Sequence, residues 1–311
     1  MKRYPPMLSH LGNKKYLDRK DHTFELKLDG VRLLLYKNND KIELINKKGT
    51  SRDAQYPEIT KIGKSIKPKS CVLDGEVIAY NENGLPDFNL LMKRDSFSGF
   101  GMIKSETPVT YVVFDILELN GKNLTEKPLL ERKRILHDSI TEDESIEITV
   151  ETQDGKLLWK EVVKRKLEGV IAKKNDSTYK EGQRSWDWIK IKNLNTIDAI
   201  IVGYTSYLRG VSSLALAVYK QGKLTYIGKV GTGFNETMLG RLKEEFNKIE
   251  TSKIPVINPP KEEKINWIRP ELVAEVEFLQ ITKDERLRAP SFKRLRDDKS
   301  PKECTFEEQI V

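Results

Sequence analysis

From residue 23 to residue 192 the chain alternates short apolar strands with helical segments, whereas from Ile197 onward strands dominate, with one clear helix among them. That change of pattern predicts two folded parts with a boundary near 193–196. At 311 residues the chain is long enough for each part to bury its own core. In the first part, Tyr56, Ile59, Ile62 and Ile66 recur at helical spacing. Pro128 opens a second helix carrying Leu129, Leu136 and Ile140, and a third is predicted at about 156–167. In the second part, 199–204, 213–219, 224–230 and 272–278 read as strands, and Asn235 can cap a helix bearing Met238, Leu242, Phe246 and Ile249. Five or so strands with one intervening helix suit a small OB-type barrel.

Lys and Arg exceed Asp and Glu by 55 to 47, a net charge of +8. That balance favours a polyanionic partner, although a Lys-rich solvated surface has the same sign. Two cysteines, Cys71 and Cys304, can build neither a disulfide framework nor a four-cysteine zinc site, which fits a reducing cytosol. Residues 1–13 contain no apolar signal core, and no apolar run is long enough to cross a bilayer. A cytoplasmic protein without membrane partners is therefore expected.

In Phe24-Glu25-Leu26-Lys27-Leu28-Asp29 the two-residue period puts three apolar side chains on one face and Glu25, Lys27 and Asp29 on the other. The apolar face can pack and the charged face can line a cleft. Gly30 allows a tight turn, and residues 31–36 resume as a strand with Arg32 at its start. An ordinary amphipathic hairpin has the same pattern.

The segment Lys27-Leu28-Asp29-Gly30-Val31-Arg32 resembles the nucleophile motif K-x-D-G-x-R of the covalent nucleotidyltransferases, the DNA ligases and mRNA capping enzymes. A lysine attacks phosphorus only as the neutral amine, so neighbouring cations and partial desolvation are needed around it. Further segments are similar to that family's motifs, in its order. These are Ser51-Arg52, Leu73-Asp74-Gly75-Glu76-Val77-Ile78, Tyr111-Val112-Val113-Phe114-Asp115-Ile116-Leu117 and Glu168-Gly169-Val170-Ile171-Ala172-Lys173. Two more follow, Trp186-Asp187-Trp188-Ile189-Lys190-Ile191-Lys192 and a basic stretch from Arg288 to Lys299 that contains Arg296-Asp297-Asp298-Lys299. Taken singly, each also reads as a buried strand, an exposed strand, a turn or a basic tail.

The resemblance is nearest to ATP-dependent DNA ligases, in particular the compact ligase modules of prokaryotic end joining. It implies an α+β chain: an ATP-grasp-like adenylation domain of antiparallel sheets and flanking helices over 1–194, then an OB-fold β-barrel over 195–311. It implies that Lys27 takes AMP from ATP and that nucleotide is bound by Glu25, Arg32, Glu76, Phe114, Lys190, Lys192, Arg288, Arg296 and Lys299. Phe114 would stack on adenine. Lys190 and Lys192 would hold the α-phosphate, and Arg296 and Lys299 the leaving pyrophosphate. Arg52 would meet the 5′-phosphate of a nick, and Glu76 and Glu168 would coordinate Mg²⁺ or Mn²⁺. ATP is expected over NAD because NAD-dependent ligases carry an extra segment ahead of the nucleophile, and Lys27 lies near the start. Implied partners are nicked duplex DNA, a Ku-like end-binding protein and separate polymerase or nuclease subunits, in DNA repair, end joining or replication. Alternatives are a GTP-dependent mRNA capping guanylyltransferase, an RNA ligase, and a non-catalytic OB-fold nucleic-acid-binding protein with strongly salt-dependent affinity.

Overall fold

A computed structural model of the protein describes residues 1–95, 107–207, 210–234, 236–261 and 264–309. The chain divides into two compact units, Met1–Asn193 and Leu194–Val311.

The first unit holds two sheets. One runs, in hydrogen-bonded order, Lys41–Asn46, Val31–Asn38, Ser70–Ile78, Thr110–Leu119 and Lys122–Asn123, all antiparallel, with Ile146–Ile148 parallel beside Thr110–Leu119. Both faces of its Val31–Asn38 strand are covered. Leu33 and Leu35 enter one core with Tyr56, Ile59 and Ile62, whereas Leu34 and Tyr36 enter another with Met7, Leu117 and Trp188. An unbroken apolar run is what a strand buried on both sides requires.

The other sheet runs Leu8–Leu11, Arg184–Lys192, Gly169–Lys174, His22–Leu26 and Glu151–Thr152. Phe24, Val170, Ala172, Ile189 and Ile191 point to one face, where Val162 of the helix Gly155–Lys164 packs on them. Strict alternation then turns Glu25, Lys173, Lys190 and Lys192 to the other face. This sheet therefore has an oily side and a charged side.

Local chemistry accounts for the helices. Asp154 caps Gly155–Lys164 by accepting from Leu157 N–H (2.9 Å), and the helix ends three residues short of Leu167, which still packs beneath it. Pro128 precedes Leu129–Ser139, and Ile140 already lies outside in extended backbone. The helix expected around Tyr56 to Ile66 is only a short 3-10 turn, Ile59–Ser65, kinked at Ile62. Three β-branched residues and Gly63 within seven positions lower helix propensity there, while burial of Tyr56, Ile59, Ile62 and Ile66 keeps the apolar periodicity.

The second unit is a five-stranded antiparallel sheet in the order Lys223–Val230, Gly210–Lys220, Asn195–Tyr207, Asn266–Phe278 and Ser291–Leu295. Past Lys223–Val230 the chain closes on Ser291–Leu295: Phe292 N–H donates to Thr232 O (2.9 Å), and a Cβ on Gly233 would stand 2.1 Å from Phe292 O. With the helix Glu236–Ile249 between Lys223–Val230 and Asn266–Phe278 in the chain, this is the OB-fold barrel the pattern predicts. Leu242, Phe246 and Ile249 bury one stripe of that helix; Asn235, its expected cap, lies outside the described residues. Among the described residues no helix is long and apolar enough to cross a membrane.

One buried ion pair ties the helix Leu129–Ser139 to the strand Thr110–Leu119. Arg132, wholly buried, donates Nε to Asp115 Oδ1 (2.8 Å) and Nη2 to Oδ2 (2.9 Å), and Nη1 to the carbonyls of Lys127 and Ser177. Burial alone would raise the Asp115 carboxyl, but Arg132, backed by Lys173 and Lys133, holds it below its ordinary 3.8. Arg132→Ala is expected to cost about 3–5 kcal/mol, because it strands a buried carboxylate. The pair's contribution should persist above the ordinary carboxylate range and fade as pH falls through the depressed native value. Urea unfolding of both proteins at neutral and acid pH checks this; equal stability at neutral pH would contradict it.

Candidate active site

The strand His22–Leu26 ends one residue before Lys27, whose backbone N–H donates to Gly169 O (2.9 Å). Gly169 sits at φ +153, with room for no side chain: a Cβ would lie 2.1 Å from Ile191 O. Glu168 is thereby brought beside Lys27, and Lys27 Nζ donates to Glu168 Oε2 at 2.7 Å, with side-chain exposures of 20% and 9%. The tight turn at Gly30 sets the next contact. A Cβ there would stand 2.2 Å from Val77 O and 2.9 Å from Glu76 Cγ, so only glycine lets the two strands approach. Arg32 and Glu76 are then cross-strand partners.

Arg32 is held rigidly. Its Nε and Nη2 reach Asp74 Oδ1 and Oδ2 (2.9 and 2.6 Å), and its Nη1 reaches Met7 O (2.8 Å). Fully buried Asp74 also accepts from Tyr179 Oη (2.6 Å). The guanidinium lies 5.3 Å from the Phe114 ring centre, and Phe114 meets Trp188 edge-on at 6.3 Å. Lys173 Nζ stands against both rings, at 4.4 and 4.3 Å. It also contacts Glu25 Oε2 at 2.7 Å, while Lys133 Nζ, from the helix Leu129–Ser139, lies 2.5 Å from Glu25 Oε1.

The charged groups perturb one another. Burial pushes the Glu76 carboxyl up to about 7; Lys27 and Arg32 oppose the rise, and Glu168 and Asp74 add to it. Burial also raises Glu168, against Lys27 and Lys192. Lys190 is lowered by burial and then by the like charges of Arg184, Lys192 and Lys27. Burial brings Lys173 down to about 8 despite Glu25. Several carboxylates and amines with displaced titration around one half-open lysine mark a reactive cleft.

Of the residues singled out in the sequence, Glu25, Lys27, Arg32, Glu76, Phe114, Glu168, Lys190 and Lys192 fall within this one network. The expected charged face of Glu25, Lys27 and Asp29 is not evenly open, because Glu25 is only 2% exposed. Its side chain is in the floor, among cations. Arg52 lies in the turn after Lys41–Asn46, its N–H donating to Leu44 O (2.8 Å). The remaining three belong to the second unit. Arg296 Nη1 reaches both oxygens of Asp198 (2.9 and 3.0 Å), Lys299 Nζ reaches Asp198 Oδ2 (2.7 Å), and Arg288 is on the short strand Leu287–Arg288. Sequence reasoning missed Asp74, Lys133, Lys173 and Tyr179, which hold the chosen residues in place. Their positions follow from strand register and helix docking, which short motifs do not encode.

The cleft thus brings a lysine amine beside carboxylates, an aromatic wall and a row of cations. The model of the ATP dependent DNA ligase domain matches residues 6–192, and that of the ATP dependent DNA ligase C terminal region matches 208–299. The chain belongs to the ATP-dependent DNA ligase family. It is 33% identical, over 98% of its length, to the multifunctional non-homologous end joining protein LigD of Mycolicibacterium smegmatis, and 29% identical, over 92%, to the DNA ligase of Aeropyrum pernix. It spans 40% and 54% of those two proteins. Among solved structures it resembles mycobacterial DNA ligase D complexed with ATP and MES, at 30% identity and a TM-score of 0.58, covering 97% of this chain and 98% of that one.

Gly30→Ala should force the hairpin strands apart at the cleft. Overpacking of this kind costs about 1–3 kcal/mol. Thermal unfolding measures the effect; a variant of unchanged stability would show that the strands are not closely apposed.

Proposed function

We propose that this chain is a DNA-sealing unit in which Lys27 takes AMP from ATP and passes it to the 5′-phosphate of a nick. The observation that carries the reading is the Lys27–Glu168 contact at 2.7 Å inside a network that also includes Glu76, Arg32, Lys190 and Lys192. In the first step the neutral Lys27 amine attacks the α-phosphorus. A P–N bond forms, the bond to pyrophosphate breaks, and the amine's proton leaves. AMP then moves to the DNA 5′-phosphate, and the 3′-hydroxyl displaces it.

The residues divide the work. Phe114 offers a ring for the base, and Glu25, with its acceptor oxygens, favours adenine's amino group over the carbonyl of guanine. Lys190 and Lys192 neutralise the α-phosphate as charge builds on it. Arg52 would take the DNA 5′-phosphate. In the second unit Asp198 already gathers Arg296 and Lys299 on one carboxylate, a grouping suited to a pyrophosphate. Residues 1–194 would act as the adenylation domain and 195–311 as the OB domain that supplies these cations and Arg288.

The donor set suits magnesium. Among the described residues no group of three or more His, Cys, Asp or Glu stands ready to hold a metal. Glu76 and Glu168 make a sparse pair of the kind that Mg²⁺ or Mn²⁺ completes with water and phosphate oxygens. When bound, the ion supplies positive charge to the phosphate oxygens. Glu76 and Glu168 would be the residues that hold it. The end-joining names of the relatives support nicked or broken duplex DNA as substrate; a Ku-like end-binding protein and separate polymerase or nuclease subunits would be the partners that the family resemblance implies.

Incubation with labelled ATP and Mg²⁺ should label the protein, and Lys27→Ala should abolish the label; full labelling of that variant would refute the assignment. Arg296→Ala or Lys299→Ala should slow self-adenylation at least about tenfold while sparing the sealing of a nick that already carries AMP. Equal loss in both assays would argue against a role on pyrophosphate.

A further inference from the structure

Lys133 belongs to none of the motifs above, yet its ammonium is 3% exposed and aimed into the floor of the cleft. Its helix is fixed by the Arg132–Asp115 pair one residue earlier. From there Lys133 Nζ lies 2.5 Å from Glu25 Oε1 and 2.9 Å from Glu151 Oε2. Burial works against the ammonium, but Glu25 and Glu151 hold it above the ordinary lysine value. Glu25 is thus gripped at both oxygens, by Lys133 on Oε1 and by Lys173 on Oε2.

The two grips come from different sides: Lys173 also rests on the Phe114 and Trp188 rings, and Lys133 also reaches Glu151. Each Glu25 oxygen meets one ammonium and, having two lone pairs, keeps one for an N–H donor. Glu25 sits two residues before the nucleophile, in the floor that Phe114 borders. A buried ion pair is weak evidence for stability alone, and its better-supported use is to fix geometry.

We propose that Lys133 is a positioning residue for nucleotide selection: with Lys173 it clamps the Glu25 carboxylate, and this clamp makes the cleft favour a purine bearing a 6-amino group. The inference rests on reading the cleft as a nucleotide site. Lys133 touches no substrate and acts through Glu25.

The test compares ATP with purine riboside triphosphate, which lacks the 6-amino group, in self-adenylation of the full chain. Wild type should prefer ATP by about tenfold or more in kcat/KM, the size expected for a hydrogen bond to a charged group. In Lys133→Met that preference should fall to within about twofold of unity, chiefly through a higher KM for ATP. A merely structural role would slow both nucleotides alike and leave the ratio unchanged, which would overturn the inference. If Lys133→Met folds poorly, Glu25→Gln is compared with Lys133→Met/Glu25→Gln, which removes the Lys133 charge together with the carboxylate it faces. Adding Lys133→Met to Glu25→Gln should then leave the ATP KM unchanged, because Lys133 has lost the group it acts through; a further rise of the single-variant size would overturn the inference. Wild type that takes no label from ATP would instead refute the nucleotide reading itself.

Discussion

The contact between Lys27 and Glu168 sets the terms for the rest of the cleft. It joins the end of one strand to the residue before another, and Glu76, Lys190 and Lys192 lie in the same electrostatic network. Gly30 and Gly169 matter here: each lets one backbone approach another closely enough to bring the lysine and its carboxylates together.

Beneath this layer lies a second set of charges that pair with one another. Arg32 with Asp74, Arg132 with Asp115, and Lys133 and Lys173 with Glu25 are mutually compensated, and all but Arg32 are deeply buried. They come from different strands and one helix. Such pairs contribute little net stability for the desolvation they entail, but removing one partner is costly, so they hold geometry firmly. The division is a partly open set of charges at the surface of the cleft over a buried set in its floor. In the second unit, Asp198 gives Arg296 and Lys299 a common anion in the same way.

Much of this was legible in the residue pattern. Two-residue alternation in Phe24 to Asp29 and in Trp186 to Lys192 located strands with one oily and one charged side, and those side chains do separate in that way. The OB-type unit followed from strand spacing and one amphipathic helix. The pattern was less reliable where helix and burial signals coincide. Tyr56 to Ile66 has helical spacing because four apolar side chains must reach one core, and a short kinked 3-10 turn meets that need as well as an α-helix does. The buried partners were not legible at all. Asp74 and Asp115 sit inside apolar strands, and Arg132 and Lys133 in an ordinary-looking charged helix; only the three-dimensional register shows that they face one another.

One amine in this chain, and no other, is expected to become bonded to phosphorus. Peptide mapping by mass spectrometry after incubation with ATP and Mg²⁺ measures this directly. A single AMP adduct is expected, on the side chain of Lys27, discharged when nicked duplex DNA is added. An adduct on any other lysine, or one on Lys27 that nicked DNA does not remove, would contradict it.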